Sequence, residues 1–504
     1  MNRADFAKRA RELRPKLHHR TMRPVRCVRP VPDESAFVGY RMETEREITG
    51  AMHTGDAVCW DFGEHMVGHV TLKLSLAGTR QDSPVRLRLT FGEMPDEIAR
   101  SESEYEGWLS AAWLQTETIT LDTLPDEVAP SRRYAFRYLK LEVAAASVRF
   151  GVRVDEVSCD ATTSVEPVKL PAMEGMDGKI AVVCLNTLRD CMQDFFEDGP
   201  KRDRRLWIGD LRLQALANHV TFRNLSLVRR SLYMIAAAQL PSGWLPAAVY
   251  DTDPPMDDET VMVDYALLYI VTLRDLLRYY DEPDLAEELY PICRQQAELA
   301  HERLQEDGTF RLLKGEVFFI DWNDRLQRDA AALGVYLYGL NALREIAEKL
   351  GRAKDVTRME LWIDEAKELA RENYWNEGSA RFISRGQISM ASQIWMLLGG
   401  VPDNAGAGRL IQSLMAAPPA IGACTPYLKH YQAEAMWSYG FGEEAREMIR
   451  DYWGAMIENG ADTFWEVFIP DDPGASPYGG TLIHSWCHAW SCTPVIYLLA
   501  SIRD

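Results

Sequence analysis

Four carboxylates crowd one polar run, Glu197-Asp198-Gly199-Pro200-Lys201-Arg202-Asp203-Arg204-Arg205-Leu206-Trp207-Ile208-Gly209-Asp210. Carboxyl groups set against one another are suited to general acid and base chemistry, one giving a proton and another taking one. Asp198, Asp203 and Asp210 cannot share one helix face at these intervals, and Gly199-Pro200 breaks the chain between the first two. The run therefore reads as a folded loop presenting acids from several directions, the kind of segment in which binding and catalytic groups concentrate. Its bland reading is a solvated turn in which the Asp and Arg side chains pair with each other and Asp210 caps a helix.

A second acidic-aromatic stretch far downstream, Thr463-Phe464-Trp465-Glu466, strengthens the chemical reading. Glu466 follows two large aromatic residues, and a carboxylate partly desolvated in that setting gains basicity, as a general base requires. The alternative is an ion pair with an Arg distant in sequence. Three more places combine acids, rings or imidazoles. Trp244, in Pro241-Ser242-Gly243-Trp244-Leu245-Pro246, could stack on a sugar face or plug the top of a helical domain. Asp321 and Trp322 together suit a pyranose, the acid taking hydroxyls and the ring covering the apolar face; equally, Asp321 could cap backbone beside a buried ring. His484 and His488, four apart in a predicted last helix, share a face. They could bond substrate hydroxyls or be satisfied within the wall.

The net charge of −19 argues against a nucleic-acid partner and against anionic membrane surfaces, both of which need clustered Lys and Arg. No stretch approaches the ~20 apolar residues of a membrane helix, and the basic start, Met1 to Pro30, has no secretory apolar run. Nine cysteines without a C-x-x-C pair point to free thiols in a reducing cytoplasm. No Cys/His quartet has metal-ligand spacing, and no phosphate-cradling or nucleophilic-serine motif occurs, so no metal and no cofactor are expected.

These residues need a scaffold. Alternation over 57–62, 69–76, 85–90, 117–121, 138–143 and 148–154 predicts an antiparallel β-sandwich. A short amphipathic helix and Pro-containing coil are expected before it, giving an extension over 1–35 and a sandwich over 36–162. A linker with two prolines, within 163–177, ends the β pattern. From 178 to 504 the period is helical, with segments at 179–193, 210–221, 224–240, 258–280, 282–305, 328–351, 355–373, 388–398, 404–417, 427–438, 443–459 and 482–502. Twelve helices without a sequence repeat predict a closed double ring of six inner and six outer helices rather than a solenoid. One rim would gather loops 197–209, 241–257, 313–327, 374–387, 418–426 and 460–481, which hold the residues singled out above.

Asp198-x-Pro200-x-Arg202-Asp203-x-x-Leu206-Trp207-x-Gly209-Asp210, with Thr463-Phe464-Trp465-Glu466, resembles the α-L-rhamnosidases of glycoside hydrolase family 78. Trp60-Asp61-Phe62-Gly63, Phe136-Arg137-Tyr138-Leu139 and Ser485-Trp486-Cys487-His488 are similar to further motifs of that family, in the same order. The resemblance implies a β-sandwich followed by an (α/α)6 barrel, and hydrolysis with inversion. It places Asp203 on the general acid, where the family usually has Glu, and Glu466 on the general base. Asp198, Asp210 and His488 fall on sugar ligands, Trp207 on the wall that meets the sugar, and Arg202 on the arginine that orients the acid. Trp244, Asp321, Trp322 and Trp465 complete the candidate sugar-binding set. The family's further β domain is not found after the last helix, so one wall of the crater is expected to be open or supplied by another subunit; a homo-oligomer is left open. The alternatives are a carbohydrate-binding protein without hydrolysis, and a hydrolase or lyase for another sugar in the same barrel.

Overall fold

Antiparallel strands and then paired helices make up the chain in the computed structural model, which describes residues 2–46, 50–78, 80–472 and 474–500. The strands are β1 (His18–Met22), β2 (Arg26–Pro32), β3 (Tyr40–Thr44), β4 (Ala57–Ala77), β5 (Val85–Gly92), β6 (Thr116–Leu121), β7 (Asp126–Val128), β8 (Tyr134–Ala145) and β9 (Gly151–Thr163). All nine join one hydrogen-bonded network. The long β4 is its hinge. Its first part pairs β2 and β8 and its second part pairs β9 and β7. The register shifts between Asp61 and Met66, where a bulge lets one strand pass from one layer of a sandwich to the other. The segments expected as two strands, 57–62 and 69–76, are thus one. Inward residues from both layers, among them Trp60, Leu74, Leu87, Phe136 and Leu141, form the core between them.

The expected coil before the sandwich is a correction. Helix α1 (Arg3–Glu12) forms, but β1 and β2 then pair with β9 and β4. The prolines of β2, Pro30 and Pro32, face only β3, an edge position that tolerates a missing donor.

After the short helix α2 (Pro95–Ala99) in the β region, the barrel runs α3 (Gly175–Cys191), α4 (Ile208–Val220), α5 (Leu225–Ala237), α6 (Val263–Tyr279), α7 (Pro283–His301), α8 (Asp329–Lys349), α9 (Ala353–Tyr374), α10 (Met390–Leu398), α11 (Asn404–Ala416), α12 (Pro426–Ser438) and α13 (Gly442–Glu458). Helices α4, α6, α8, α10 and α12 pack in succession, and residues 489–500 close the ring against α12, α4 and α3. Burial explains which helices lie inside. In α6 nearly every residue is buried, whereas in α9 only the stripe Met359, Ile363, Ala366, Ala370 and Tyr374 is. An apolar surface on all sides fits an inner helix, and a single stripe fits an outer one.

The twelfth helix, expected over 482–502, is a second correction, with 501–502 outside the described residues. Residues 484–488 are not helical and bend at 486–487; 3-10 turns at Thr481–Ile483 and Ala489–Ser491 flank them, and the α-helical part is α14 (Pro494–Ala500). The backbone there bonds neighbours instead of itself: His488 N–H donates to the Phe464 carbonyl at 2.8 Å, Ala489 N–H to that of Asp198 at 3.0 Å, and the Ser485 carbonyl accepts from Glu466 N–H at 3.1 Å. His484 and His488 therefore share no helix face.

Candidate active site

Consecutive loops at one end of the ring are bonded to each other. Leu206 and Trp207 pair with Val249 and Ala248. Trp244 Nε1 donates to Glu316 Oε1 at 2.9 Å, Cys424 N–H donates to Asp321 Oδ2 at 2.8 Å, and Gln327 N–H to Gln387 Oε1 at 2.9 Å. The 460–481 loop meets 197–209 through Arg202 and Glu466. The loops expected on one rim are together.

The 197–210 run is a folded loop, but its acids do more than pair with neighbouring arginines. Its foot is tied to the β-sandwich side. Glu197 takes Arg133 Nη2 on both oxygens, at 2.6 and 2.7 Å. The buried Lys201 reaches Glu97 at 2.6 Å and Glu93 at 3.2 Å. Asp198 turns inward and accepts the N–H of Asp203 at 3.3 Å and that of Arg205 at 3.1 Å, which fixes the loop's curl. Asp210 is not an N-cap; Trp207 holds the cap position of α4, and Asp210 lies within the first turn, bonded to His488 Nε2 at 2.9 Å. At Gly209 a Cβ would fall 2.4 Å from the Tyr265 ring, so the close approach that sets Asp210 in place requires glycine.

Arg202 links the two candidate catalytic acids. Its Nη2 donates to Glu466 Oε2 at 2.7 Å and its Nη1 lies 3.5 Å from Asp203 Oδ1, while Nε is held by the Ile483 carbonyl at 3.1 Å. Glu466 also accepts the Tyr478 hydroxyl on Oε1, and His488 Nδ1 stands 4.0 Å from Oε2. Burial pushes the Glu466 carboxyl up, but Arg202, His488, His484 and the Tyr478 hydroxyl outweigh it and hold it at about 2. The basicity expected from desolvation is therefore not realised. The distant-Arg pairing is, because the cation that sequence distance hides is Arg202. Asp198 goes the other way: burial, with Asp203 and Asp210 close by, lifts it to about 7 against the pull of His488. Burial works against the His488 imidazolium, but Glu466 and Asp210 raise it above its ordinary value.

Two of the aromatic candidates border this cluster. Trp207 is half-buried and meets Tyr265 edge-on, with ring centres 6.4 Å apart. Trp322 stands edge-on to Phe319 at 5.2 Å and to Tyr478 at 5.6 Å. Three other candidates turn away from it. Trp244 is fully buried with its N–H on Glu316, so it plugs the rim and offers no face to a sugar. Trp465 is buried against Phe37 at 5.0 Å and Trp486 at 4.9 Å. Asp321 spends both oxygens on the start of α12, taking Thr425 Oγ1 at 2.7 Å and Cys424 N–H. It braces the residue that caps α12, Thr425, and is lifted by burial to about 6.

Residues not singled out in the sequence complete the site. Tyr478 bonds Glu466, and its ring lies 3.9 Å from the Arg202 guanidinium carbon. Trp490 donates its N–H to the Glu466 carbonyl at 3.0 Å and packs 4.5 Å from the His488 ring. His484, singled out with His488 in the sequence, is buried here, and burial drives it down to about 3 against the pull of Glu466. Spacing gives no signal for Tyr478, which sits in a Gly/Pro-rich loop. Among the described residues, His65, Asp190 and Cys487 bring metal-ligand atoms within 4.8 Å of one another. Both ring nitrogens of His65 are occupied there, by Asp190 at 2.8 Å and Glu93 at 3.0 Å.

Comparison with known proteins identifies both halves of the chain. The glycosyl hydrolase family 78 α-rhamnosidase N-terminal domain matches residues 24–161, and the bacterial α-L-rhamnosidase six-hairpin glycosidase domain matches residues 176–502. A rhamnosidase from Klebsiella oxytoca with rhamnose bound is 38% identical over 99% of both chains, with a TM-score of 0.96. A family 78 rhamnosidase from Bacillus sp. GL1 shares the fold at 19% identity and TM-score 0.78, covering 93% of this chain and 51% of that one. The Streptomyces avermitilis α-L-rhamnosidase complexed with L-rhamnose does so at 17% and 0.70, covering 97% and 44%. No curated protein matches the chain.

Proposed function

The chain belongs to glycoside hydrolase family 78, and from that premise we propose that it removes terminal α-L-rhamnosyl residues from oligosaccharides or glycosides by inverting hydrolysis, with Asp203 as general acid and Glu466 as general base. Asp203 protonates the glycosidic oxygen as the bond to the anomeric carbon breaks. Glu466 takes a proton from the water that attacks the opposite face. Asp198, Asp210 and His488 bond ring hydroxyls, and Trp207 and Trp322 cover the apolar face of the sugar.

One observation carries this reading: a single guanidinium, that of Arg202, reaches both carboxyl groups. The two acids are thereby held in one site, and an inverting pair stands ~6.5–9.5 Å apart, which leaves room for a water. Arg202 also divides their roles. The short bond to Glu466 keeps that carboxylate ionised, ready to accept a proton. The nine cysteines, with no C-x-x-C pair among them, suit a place in a reducing cytoplasm.

The test is a proton NMR time course on 4-nitrophenyl α-L-rhamnoside. β-L-Rhamnose is expected as the first product, with the α anomer appearing only by mutarotation. Initial α-L-rhamnose would overturn inversion. Turnover confined to glycosides of another sugar would overturn the substrate.

A further inference from the structure

The departing group must leave the site on the side of the acid. Asp203 is the accessible partner of the pair, with 17% of its side chain exposed against 3% for Glu466. A segment from the β-sandwich side of the chain reaches the loop that carries Tyr478, which packs on Arg202 behind the acid. Residues 100–114, between α2 and β6, lie along 477–481. Arg100 Nη1 donates to Thr481 Oγ1 at 3.4 Å. A Cβ on Gly107 would fall 2.2 Å from the Tyr478 carbonyl oxygen, and one on Gly479 2.7 Å from the Gly107 Cα. Two backbones touch there without side chains between them, which only glycine permits.

This clasp presents Trp108. Its N–H is fixed on the Pro477 carbonyl at 2.8 Å, and its ring centre lies 5.8 Å from that of Tyr478. Even so, 69% of the residue is exposed. Behind it Tyr478 packs on Arg202, and Arg202 reaches Asp203. The indole is thus two side chains from the acid, oriented by its polar edge, with apolar surface open to solvent. A ring held in this way is suited to stacking against a flat partner. Resting on the rhamnosidase reading above, we infer that Trp108 forms a leaving-group subsite that stacks on aglycones presenting an apolar face, either the C–H face of a sugar ring or an aryl ring.

The test compares Trp108→Ala and Trp108→Phe with the wild type on three substrates: methyl α-L-rhamnoside, a rhamnosyl-(1→6)-glucose disaccharide and 4-nitrophenyl α-L-rhamnoside. Inhibition by free L-rhamnose is measured alongside. Loss of one stacking partner is expected to lower kcat/KM by roughly 3- to 10-fold for a ring-bearing substrate relative to the methyl glycoside. The loss falls mainly in KM, and Trp108→Phe retains most of the preference. The substrate with the larger loss identifies whether the natural partner is a sugar or an aryl ring. Equal losses on all three substrates, a matching weakening of rhamnose inhibition, or identical behaviour of the two variants would overturn the subsite and leave the rhamnosidase reading intact. No turnover of any rhamnoside by the wild type would overturn both.

Discussion

At the scale of the residue, the two candidate catalytic carboxylates differ in how they are held, and this separates what their substitutions do. Glu466 is enclosed and bonded by Arg202 and Tyr478, whereas Asp203 is anchored only loosely and reaches solvent. Asp203→Asn is expected to lower kcat by roughly 10²- to 10⁴-fold on a sugar leaving group, and by clearly less on 4-nitrophenyl α-L-rhamnoside, whose leaving group departs without a proton. Glu466→Gln should cost a similar factor on both, because the water needs a base whatever departs. Steady-state kinetics on the two substrates decide this, and an equal, substrate-independent loss for Asp203→Asn would remove it as the acid. The Tyr478 hydroxyl is one of the groups that lower the Glu466 carboxyl to about 2. A base must be ionised to act, so lowering its pKa extends activity toward acid. Tyr478→Phe removes one lowering contact and is expected to move the acidic limb of the kcat/KM–pH profile upward. An unchanged limb would mean that the ionisation of Glu466 does not govern it.

At the scale of the element, the site depends on where helices begin and on segments that decline to be helical. Helix α4 starts against the ring of Tyr265, and Gly209 is the residue that allows it. Gly209→Ala is expected to push the first turn outward, taking Asp210 from His488. Overpacking of this kind costs about 1–3 kcal/mol, and a displacement of ~1 Å at a reacting group can cost ~100-fold in rate. A lowered Tm together with a kcat loss checks it; a kcat unchanged at a lowered Tm would show that the first turn of α4 need not be fixed for turnover. The segment 484–489, which is not α-helical, matters in the same way. Because its backbone bonds Phe464, Glu466 and Asp198, it brings His488 between Asp210 and Glu466, a place no residue of a continuous last helix would take with the same partners.

At the scale of the whole molecule, this glycoside hydrolase builds its acid-bearing loop on contacts from both halves. Lys201, two residues before Asp203, is buried between Glu93 and Glu97 of the β region, and Glu197 is clamped by Arg133. Removing one partner of a buried charge group leaves the others uncompensated. Lys201→Met is therefore expected to lower the unfolding free energy by about 3–5 kcal/mol, read by chemical denaturation, and to reduce kcat through the loosened loop. A variant of wild-type stability would show that the two halves are held together elsewhere.

The sequence by itself determined the element types and the acids. Alternation and helical periodicity are local consequences of which face each residue buries, so the sandwich, eleven of the twelve barrel helices and the loop at 197–210 were legible in order. Asp198, Asp203, Asp210 and Glu466 were legible because carboxylates among aromatic residues are conspicuous in any loop. Only the tertiary structure decided what surrounds them. Residue type does not say which way a ring points, so Trp244 and Trp465 were expected at a sugar and lie in packed interior, while Asp321 holds Cys424 and Thr425 at the start of α12. Nor does sequence distance report the pairing of Arg202 with Glu466, which reverses the expected direction of that carboxyl's pKa, or the placing of Tyr478 and Trp108 beside it. A charge's effect depends on the groups within a few ångströms, and the closed ring brings those groups from the ends of the chain.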